Sequence, residues 1–219
     1  MDLIVKFLLW LVRCLQRLSP SSAEHAPSRY EIERKFSISD AEYERLPARL
    51  KSLGFTRAGA GSMTDTFLPA EKEGDMMRIR EEHLDGKTTI LLTMKKWVEV
   101  AGERERKEEE TTLDSVSRAA LLSLGGRLAG SDLLSYTKRR NMFGGSRSGF
   151  EVTVALDFAD GLGEYSGPYL EVEVLVEQSG DVASARKLVV ALATEILERE
   201  PTDVAMSYME MLKRSRSKK

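Results

Sequence analysis

Polar and apolar residues alternate with a period of two along much of the chain, which is the pattern of β-strands. In Tyr30-Glu31-Ile32-Glu33-Arg34-Lys35-Phe36, one face carries Glu31, Glu33 and Lys35, and the other carries Ile32, Arg34 and Phe36. Met63 to Leu68 is strand-like and stops at Pro69. Asp75 to Glu82 follows, and Lys87 to Val100 comes after the hairpin signal Asp85-Gly86. Arg104 to Thr112 alternates basic and acidic residues, and Leu133 to Phe143, Phe150 to Phe158 and Tyr169 to Glu177 complete the strand set. Helical spacing runs from Ser39-Asp40 through Tyr43, Leu46, Leu50 and Leu53 to a stop at Gly54, with a kink expected at Pro47. Ser115 to Leu124 reads as a helix ended by Gly125-Gly126, and Val182 to Arg199 as another. Thr202 or Asp203 then caps a last helix carrying Met206, Tyr208, Met209 and Leu212. The expectation is an α+β domain whose eight antiparallel strands close into a barrel flanked by helices.

Both ends stand apart from this pattern. Residues 1–18 are apolar apart from Asp2, Lys6, Arg13, Gln16 and Arg17, and the run is shorter than the ~20 residues that span a bilayer. Such a segment suits an interfacial membrane helix, a helix docked on a protein surface, or a signal with Ser21-Ser22-Ala23 as its small-residue site. Residues 19–28 read as a linker, and residues 213–219 as a basic tail able to reinforce contact with anionic lipid. The protein is expected to be cytoplasmic, with peripheral membrane contact through residues 3–18 and the tail.

Composition narrows the chemistry. Of 219 residues, 33 are Lys or Arg and 35 are Asp or Glu, so the net charge is only -2 and no global field favours nucleic acid. The lone cysteine, Cys14, excludes an internal disulfide framework, and two histidines are too few for a histidine metal site. A bound metal would take oxygen ligands, as Mg²⁺ or Mn²⁺ does.

Charged residues recur at alternate strand positions. Arg78 with Arg80, Thr93 with Lys95, Lys138 with Arg140, and Glu171 with Glu173 each share a face. Around the last pair, Leu170, Val172 and Val174 make the other face wholly apolar. One such pair is an ordinary solvated face. Several on separate strands, turned inward, would line a tunnel with carboxylates and cationic groups. Buried charge of that kind needs a charged occupant. Arg and Lys suit phosphate oxygens, and clustered Glu suits a divalent metal that also takes phosphate ligands.

These residues resemble the CYTH domain, or triphosphate tunnel metalloenzyme, family. Glu31-Ile32-Glu33-Arg34-Lys35 resembles its ExExK signature. Arg78-Ile79-Arg80, Thr93-Met94-Lys95, Arg106 to Glu110, Lys138-Arg139-Arg140, Leu156-Asp157 with Gly161-Leu162-Gly163, and Glu171-Val172-Glu173 follow in the family's order. Ser207-Tyr208 also has a counterpart, and the resemblance covers roughly residues 29–212. It implies an eight-stranded antiparallel barrel forming a tunnel for a triphosphate. It further implies that Glu31, Glu33, Asp157, Glu171 and Glu173 hold Mg²⁺ or Mn²⁺. Lys35, Arg78, Arg80, Lys95, Lys138 and Arg140 would bind the triphosphate, with Arg139 replacing Arg140 if the register slips by one. Glu33 and Lys35 would serve the reaction itself, although the neighbouring glutamates oppose the lowered pKa that a lysine base needs. Glu108 and Glu110 rank lower as site residues.

The implied activity is metal-dependent hydrolysis of inorganic, nucleoside or thiamine triphosphate. The alternatives are a class IV-type adenylyl cyclase and a non-catalytic phosphate-chain sensor at a membrane. Asp65-Thr66-Phe67-Leu68-Pro69 keeps only part of the segment typical of thiamine triphosphatase-like members, which argues against thiamine triphosphate. His25-Ala26 keeps the histidine but not the phenylalanine that cyclases carry ahead of ExExK.

Overall fold

The computed structural model describes residues 30–70, 75–100, 103–176 and 181–217. Residues 1–18 and the linker 19–28 lie outside the described residues. Nine strands are present: β1 (Tyr30–Ser37), β2 (Thr56–Leu68), β3 (Met76–Leu84), β4 (Lys87–Val100), β5 (Glu103–Thr112), β6 (Ser135–Arg147), β7 (Phe150–Asp160), β8 (Gly167–Val176) and β9 (Thr202–Asp203). Four helices accompany them: α1 (Asp40–Ser52), α2 (Ser115–Ala129), α3 (Val182–Leu197) and α4 (Tyr208–Ser217).

The strands form one sheet in the order β5-β4-β3-β2-β6-β7-β8-β1-β9, with every pairing antiparallel. A further pairing, Glu31 opposite Arg106, joins β1 to β5 and closes the barrel. Along the same edge of β1, Phe36 and Ser37 pair with Asp203 and Thr202 of β9. The expected barrel is thus present with a ninth, two-residue strand added.

Apolar faces point outward and are covered by helices. Ile32, Val154, Leu156, Leu170, Val172 and Val174 pack with Leu46 and Leu50 of α1 and with Val189, Leu192 and Ile196 of α3. Met77, Ile79, Leu92 and Met94 pack under Leu121 of α2. Because the apolar positions are used outside, the alternate positions, which carry the charges, face the barrel interior. A third cluster sits at one end of the barrel. There Tyr208, Met211 and Leu212 of α4 pack on Phe67, Met76, Tyr136, Ala159, Leu162 and Tyr169. Gly163 (φ +63°) admits α4, because a Cβ there would stand 2.8 Å from Ser215 Cβ.

Several boundaries differ from the sequence expectation. α2 runs through Gly125-Gly126 and ends at Gly130 in the left-handed conformation. Gly125 is a contact glycine, since a Cβ there would meet Leu68 Cδ2 at 2.5 Å. α1 continues across Pro47 to Ser52, fixed at its start by a capping box between Ser39 and Glu42. Thr202 and Asp203 do not cap the last helix. Ser207 does so, its hydroxyl accepting from the Glu210 N–H at 3.2 Å while the Glu210 carboxylate accepts from the Ser207 N–H at 2.7 Å. Residues 213–217 of the basic run are the closing turns of α4.

Candidate active site

The interior encloses a cavity of about 690 Å³. Every strand from β1 to β8 except β7 contributes a side chain to its lining, as do α3, α4 and the segment from Asp203 to Ser207. On β1 and β8, Glu33 stands directly opposite Glu173, and Lys35 opposite Glu171. Across β4 and β5, Thr93 faces Glu110 and Lys95 faces Glu108. Arg78, Arg80, Lys138 and Arg140 also line the cavity. Arg139 points away and lies 4.6 Å from the Phe158 ring, so Arg140 is the residue on the inner face.

The bases do not stand unpaired. Asp65, 1% exposed, accepts from Arg80 Nε at 2.6 Å, Arg80 Nη2 at 2.9 Å, Arg78 Nη1 at 3.1 Å and the Tyr136 hydroxyl at 2.9 Å. Buried Asp157 plays the same part on the next wall. It accepts from Lys138 Nζ at 2.7 Å, from Arg140 Nε and Nη2 at 2.6 Å each, and from the Tyr208 hydroxyl at 3.2 Å. Arg140 also donates to Glu171. Lys95 Nζ lies 2.8 Å from both Glu31 and Glu108, and 3.9 Å from Glu33. Lys35 Nζ sits 3.9 Å from the centroid of the Tyr208 ring, a cation–π contact.

The charge environment follows from these contacts. Burial would push the Asp65 carboxyl up, but Arg78 and Arg80 outweigh it and hold it far below the usual carboxylate range. Burial also raises the Glu33 and Glu171 carboxyls, and the surrounding lysines and arginines more than reverse it. Burial of Glu31, with Glu33 and Glu108 beside it, raises its carboxyl well above the ordinary value. Burial would raise the Glu108 carboxyl, but its interaction with Glu31 and the charges of Lys95 and Arg78 hold it down at about 2. Glu173 is pushed up to about 7 by burial and then by Glu33. Burial lowers the Lys35 ammonium despite Glu171 and Glu33. The glutamates beside it in the sequence therefore do not set the direction of its shift.

A divalent cation fits this donor set. Glu33 and Glu173 are a facing carboxylate pair at the cavity wall, and burial together with the Glu33 charge raises Glu173, a like-charge repulsion that a bound cation would relieve. Among the described residues no group of three carboxylates is gathered into a ready-made cage. That suits Mg²⁺ or Mn²⁺, which take one or two carboxylates and complete their shell with water and phosphate oxygens. Asp157, which the resemblance implies as a ligand, accepts from Lys138, Arg140 and Tyr208 in this structure. Glu171 leans toward Arg140 and Lys138, and Glu31 toward Lys95.

Asp65, Tyr136 and Tyr208 were not among the expected site residues. Met63 and Phe67 share the inner face with Asp65 and disguise it as one polar position on an apolar strand. The usable signal was Arg78-x-Arg80, since two buried guanidinium groups require a carboxylate nearby.

Comparison with known proteins agrees with this geometry. The model of the CYTH domain matches residues 29–208. The chain belongs to the CYTH domain family. Its fold is that of the triphosphate tunnel. Among solved structures it is similar to the PH1819 protein from Pyrococcus horikoshii, with 26% identity, a TM-score of 0.65, and coverage of 85% of this chain and all of that one. It is also similar to a candidate adenylate cyclase from Vibrio parahaemolyticus, with 20% identity, a TM-score of 0.61, and coverage of 84% and 98%. A third is HpAC1 from Hippeastrum, a candidate adenylyl cyclase described as having a dominant triphosphatase activity. It shares 15% identity, a TM-score of 0.53, and coverage of 87% and 96%. No curated protein sequence matches the chain. Among the described residues no helix is long and apolar enough to cross a membrane.

Proposed function

We propose that this protein is a metal-dependent hydrolase that removes the terminal phosphoryl group from a triphosphate substrate. The observation that carries this reading is the facing of six bases and the carboxylate pair Glu33–Glu173 onto one cavity. A polyanion entering with a cation can exchange with the internal ion pairs, so neither charge set is left uncompensated. The dominant triphosphatase activity described for HpAC1 points the same way.

Arg78, Arg80, Lys138 and Arg140 would grip phosphate oxygens, with Asp65 and Asp157 fixing their direction. Mg²⁺ or Mn²⁺ held by Glu33 and Glu173 would screen the phosphates and polarise the bond to be cleaved. Water attacks the terminal phosphorus as the bridging P–O bond breaks, and the departing phosphate takes the negative charge. Lys95 faces that charge, and Lys35, made easier to deprotonate by burial, is the group we assign to receive the water's proton on the attacking side.

The test is phosphate release by the full chain from tripolyphosphate, ATP and thiamine triphosphate with Mg²⁺ or Mn²⁺, with cyclic AMP scored in parallel. Glu33→Gln and Glu173→Gln should each reduce release at least ~100-fold. Cyclic AMP with pyrophosphate, and no orthophosphate, would move the assignment to a cyclase. Triphosphate binding with no product of either kind would leave a sensor.

A further inference from the structure

Of the six bases assigned to the triphosphate, five have a carboxylate oxygen within 3.1 Å: Arg78 and Arg80 on Asp65, Lys138 and Arg140 on Asp157, and Lys95 on Glu31. Lys35 is the sixth, and among the described residues no carboxylate is paired with its ammonium. Glu171 and Glu33 act on it from further off. Two tyrosine rings stand against it instead, the centroid of Tyr208 at 3.9 Å and that of Tyr169 at 5.9 Å. A ring face attracts an ammonium without accepting its N–H groups one by one, so those donors stay available to a further partner.

The Tyr208 ring is itself fixed from several sides. Tyr208 opens α4, whose start Ser207 caps. Its hydroxyl donates to Asp157 at 3.2 Å. Its ring lies 5.2 Å from Tyr136 at 34° and 5.5 Å from Tyr169 at 79°, centroid to centroid. Lys138 Nζ borders the same ring, 5.1 Å from its centroid. Asp157 in turn accepts from Lys138 and Arg140. One side chain thus touches the lysine of β1 and, through Asp157, the bases of β6. Packing alone would accept any large apolar residue at this position, because Met211 and Leu212 already seat α4 on the barrel end. It explains neither the hydroxyl held by Asp157 nor the ring face turned to an ammonium.

We infer that Tyr208 is a positioning residue for Lys35. Its ring sets where the ammonium sits while leaving it able to meet the reacting groups, and its hydroxyl ties that place to Asp157 and so to Lys138 and Arg140. The inference rests on the triphosphatase reading of the cavity and adds the residue through which Lys35 is aimed. A carboxylate in the ring's place would hold the ammonium as Asp157 holds Lys138, by a charge-assisted hydrogen bond.

The experiment is a double-mutant cycle on the full chain, read as phosphate release from tripolyphosphate with Mg²⁺ well below the Tm of every variant. Tyr208→Leu should lower kcat about 10-fold and change KM less than about twofold, and Tyr208→Phe, which keeps the ring, should recover most of that loss. In a Lys35→Met background Tyr208→Leu should cost less than about twofold more. A second readout needs no turnover. With carbon-13 at the lysine Cε, one methylene signal, identified by its loss in Lys35→Met, should be shifted upfield by the ring in wild type and Tyr208→Phe, and not in Tyr208→Leu. Equal losses from Tyr208→Leu in both Lys35 backgrounds, or a Phe variant no better than Leu, would reduce Tyr208 to packing and leave the triphosphatase reading intact. An unshifted Lys35 signal in wild type would overturn the inference whatever the variants do. Wild type that shows the shifted signal but releases no phosphate would overturn the triphosphatase reading, and this role for Tyr208 with it.

Discussion

Replacing Asp65 tests whether the basic wall is held in shape by an internal anion. The carboxylate is 1% exposed and serves Arg78, Arg80 and Tyr136 at once. Asp65→Ala leaves two buried guanidinium groups with only the more distant Glu108 (3.6 Å from Arg78) and Glu82 (3.9 Å from Arg80), and breaking a buried pair from one side costs about 3–5 kcal/mol. For a domain of this size that is a loss of roughly 6–20 °C in Tm. Asp65→Asn keeps the shape and removes the charge, so it should fall between Ala and wild type. The effect on ligand has the opposite sign. Asp65 lies behind the two guanidinium groups, so its unit charge is about 8 Å from a phosphate in the cavity and is worth about 2 kcal/mol at an effective dielectric near 20, whereas a misdirected hydrogen bond loses about 1 kcal/mol. Removing the internal anion should therefore tighten tripolyphosphate, while poorer aim lowers the rate.

The assay is thermal unfolding of wild type and Asp65→Asn with and without tripolyphosphate, joined to steady-state phosphate release. The expected result is a lower Tm in the variant, a larger upward shift on adding tripolyphosphate, and a kcat that falls without a rise in KM. An unchanged Tm, or a smaller ligand-induced shift than in wild type, would refute the reasoning. Either would mean that Arg78 and Arg80 are positioned by something other than Asp65.

Other expectations are narrower. Glu42 is held down at about 2, first by its hydrogen bond from Arg199, so its contribution to stability is present above the unfolded carboxylate value near 4.3 and disappears as pH falls toward about 2. Because Arg199 is 38% exposed, the contribution is screened to about 1 kcal/mol, and urea midpoints of Glu42→Gln and wild type should differ at pH 7 and converge below about pH 2. Gly125→Ala places a Cβ 2.5 Å from Leu68 Cδ2 and should destabilise by about 1–2 kcal/mol, whereas Gly126→Ala meets nothing within 4 Å and should stabilise by about 0.5–1 kcal/mol, both read from denaturant midpoints. Stripping divalent metal with EDTA should abolish phosphate release, and adding back Mg²⁺ or Mn²⁺ should restore it. Residues 29–219 should release phosphate as the full chain does, since each proposed ligand lies between Glu31 and Tyr208; a folded but inactive truncation would contradict that boundary.

What could be read from the sequence was face, not partner. Leu170, Val172 and Val174 are apolar for an outer surface under α3, which turns Glu171 and Glu173 inward, and period-two alternation states this directly. The bounds of β4 could be read for the same reason, with Asp85 and Gly86 marking the hairpin. The start of β2 was hidden because Gly59-Ala60-Gly61 carries no apolar signal; Gly61 is there because a Cβ would lie 1.8 Å from the His83 carbonyl oxygen. Thr202 and Asp203 look like helix caps, and only the free edge of β1 makes them a strand. The lowered Lys35 pKa was out of reach locally, because the burial that lowers it is a property of the closed barrel, where Tyr208 arrives from the far end of the chain.

The internal ion pairs bear on why such an interior can fold before any substrate arrives. A barrel lined only with Lys and Arg would concentrate like charge in a poorly solvated space, a cost that outer apolar packing would have to offset. Here Asp65 and Asp157 hold Arg78, Arg80, Lys138 and Arg140 in fixed directions, and Glu31 and Glu108 hold Lys95. The anchors with 1% exposure or less, Asp65 and Asp157, sit behind their bases, while Glu33, at the cavity wall, is more open. On the proposed function an incoming phosphate chain would displace the looser carboxylates toward a metal while the rigid anchors stay. On that argument Asp157→Asn should damage folding and base alignment, and Glu173→Gln should damage metal dependence with little loss of stability. Paired measurements of Tm and of the metal concentration for half-maximal phosphate release separate the two. Equal effects on both readouts in both variants would mean that the carboxylates are one undivided set.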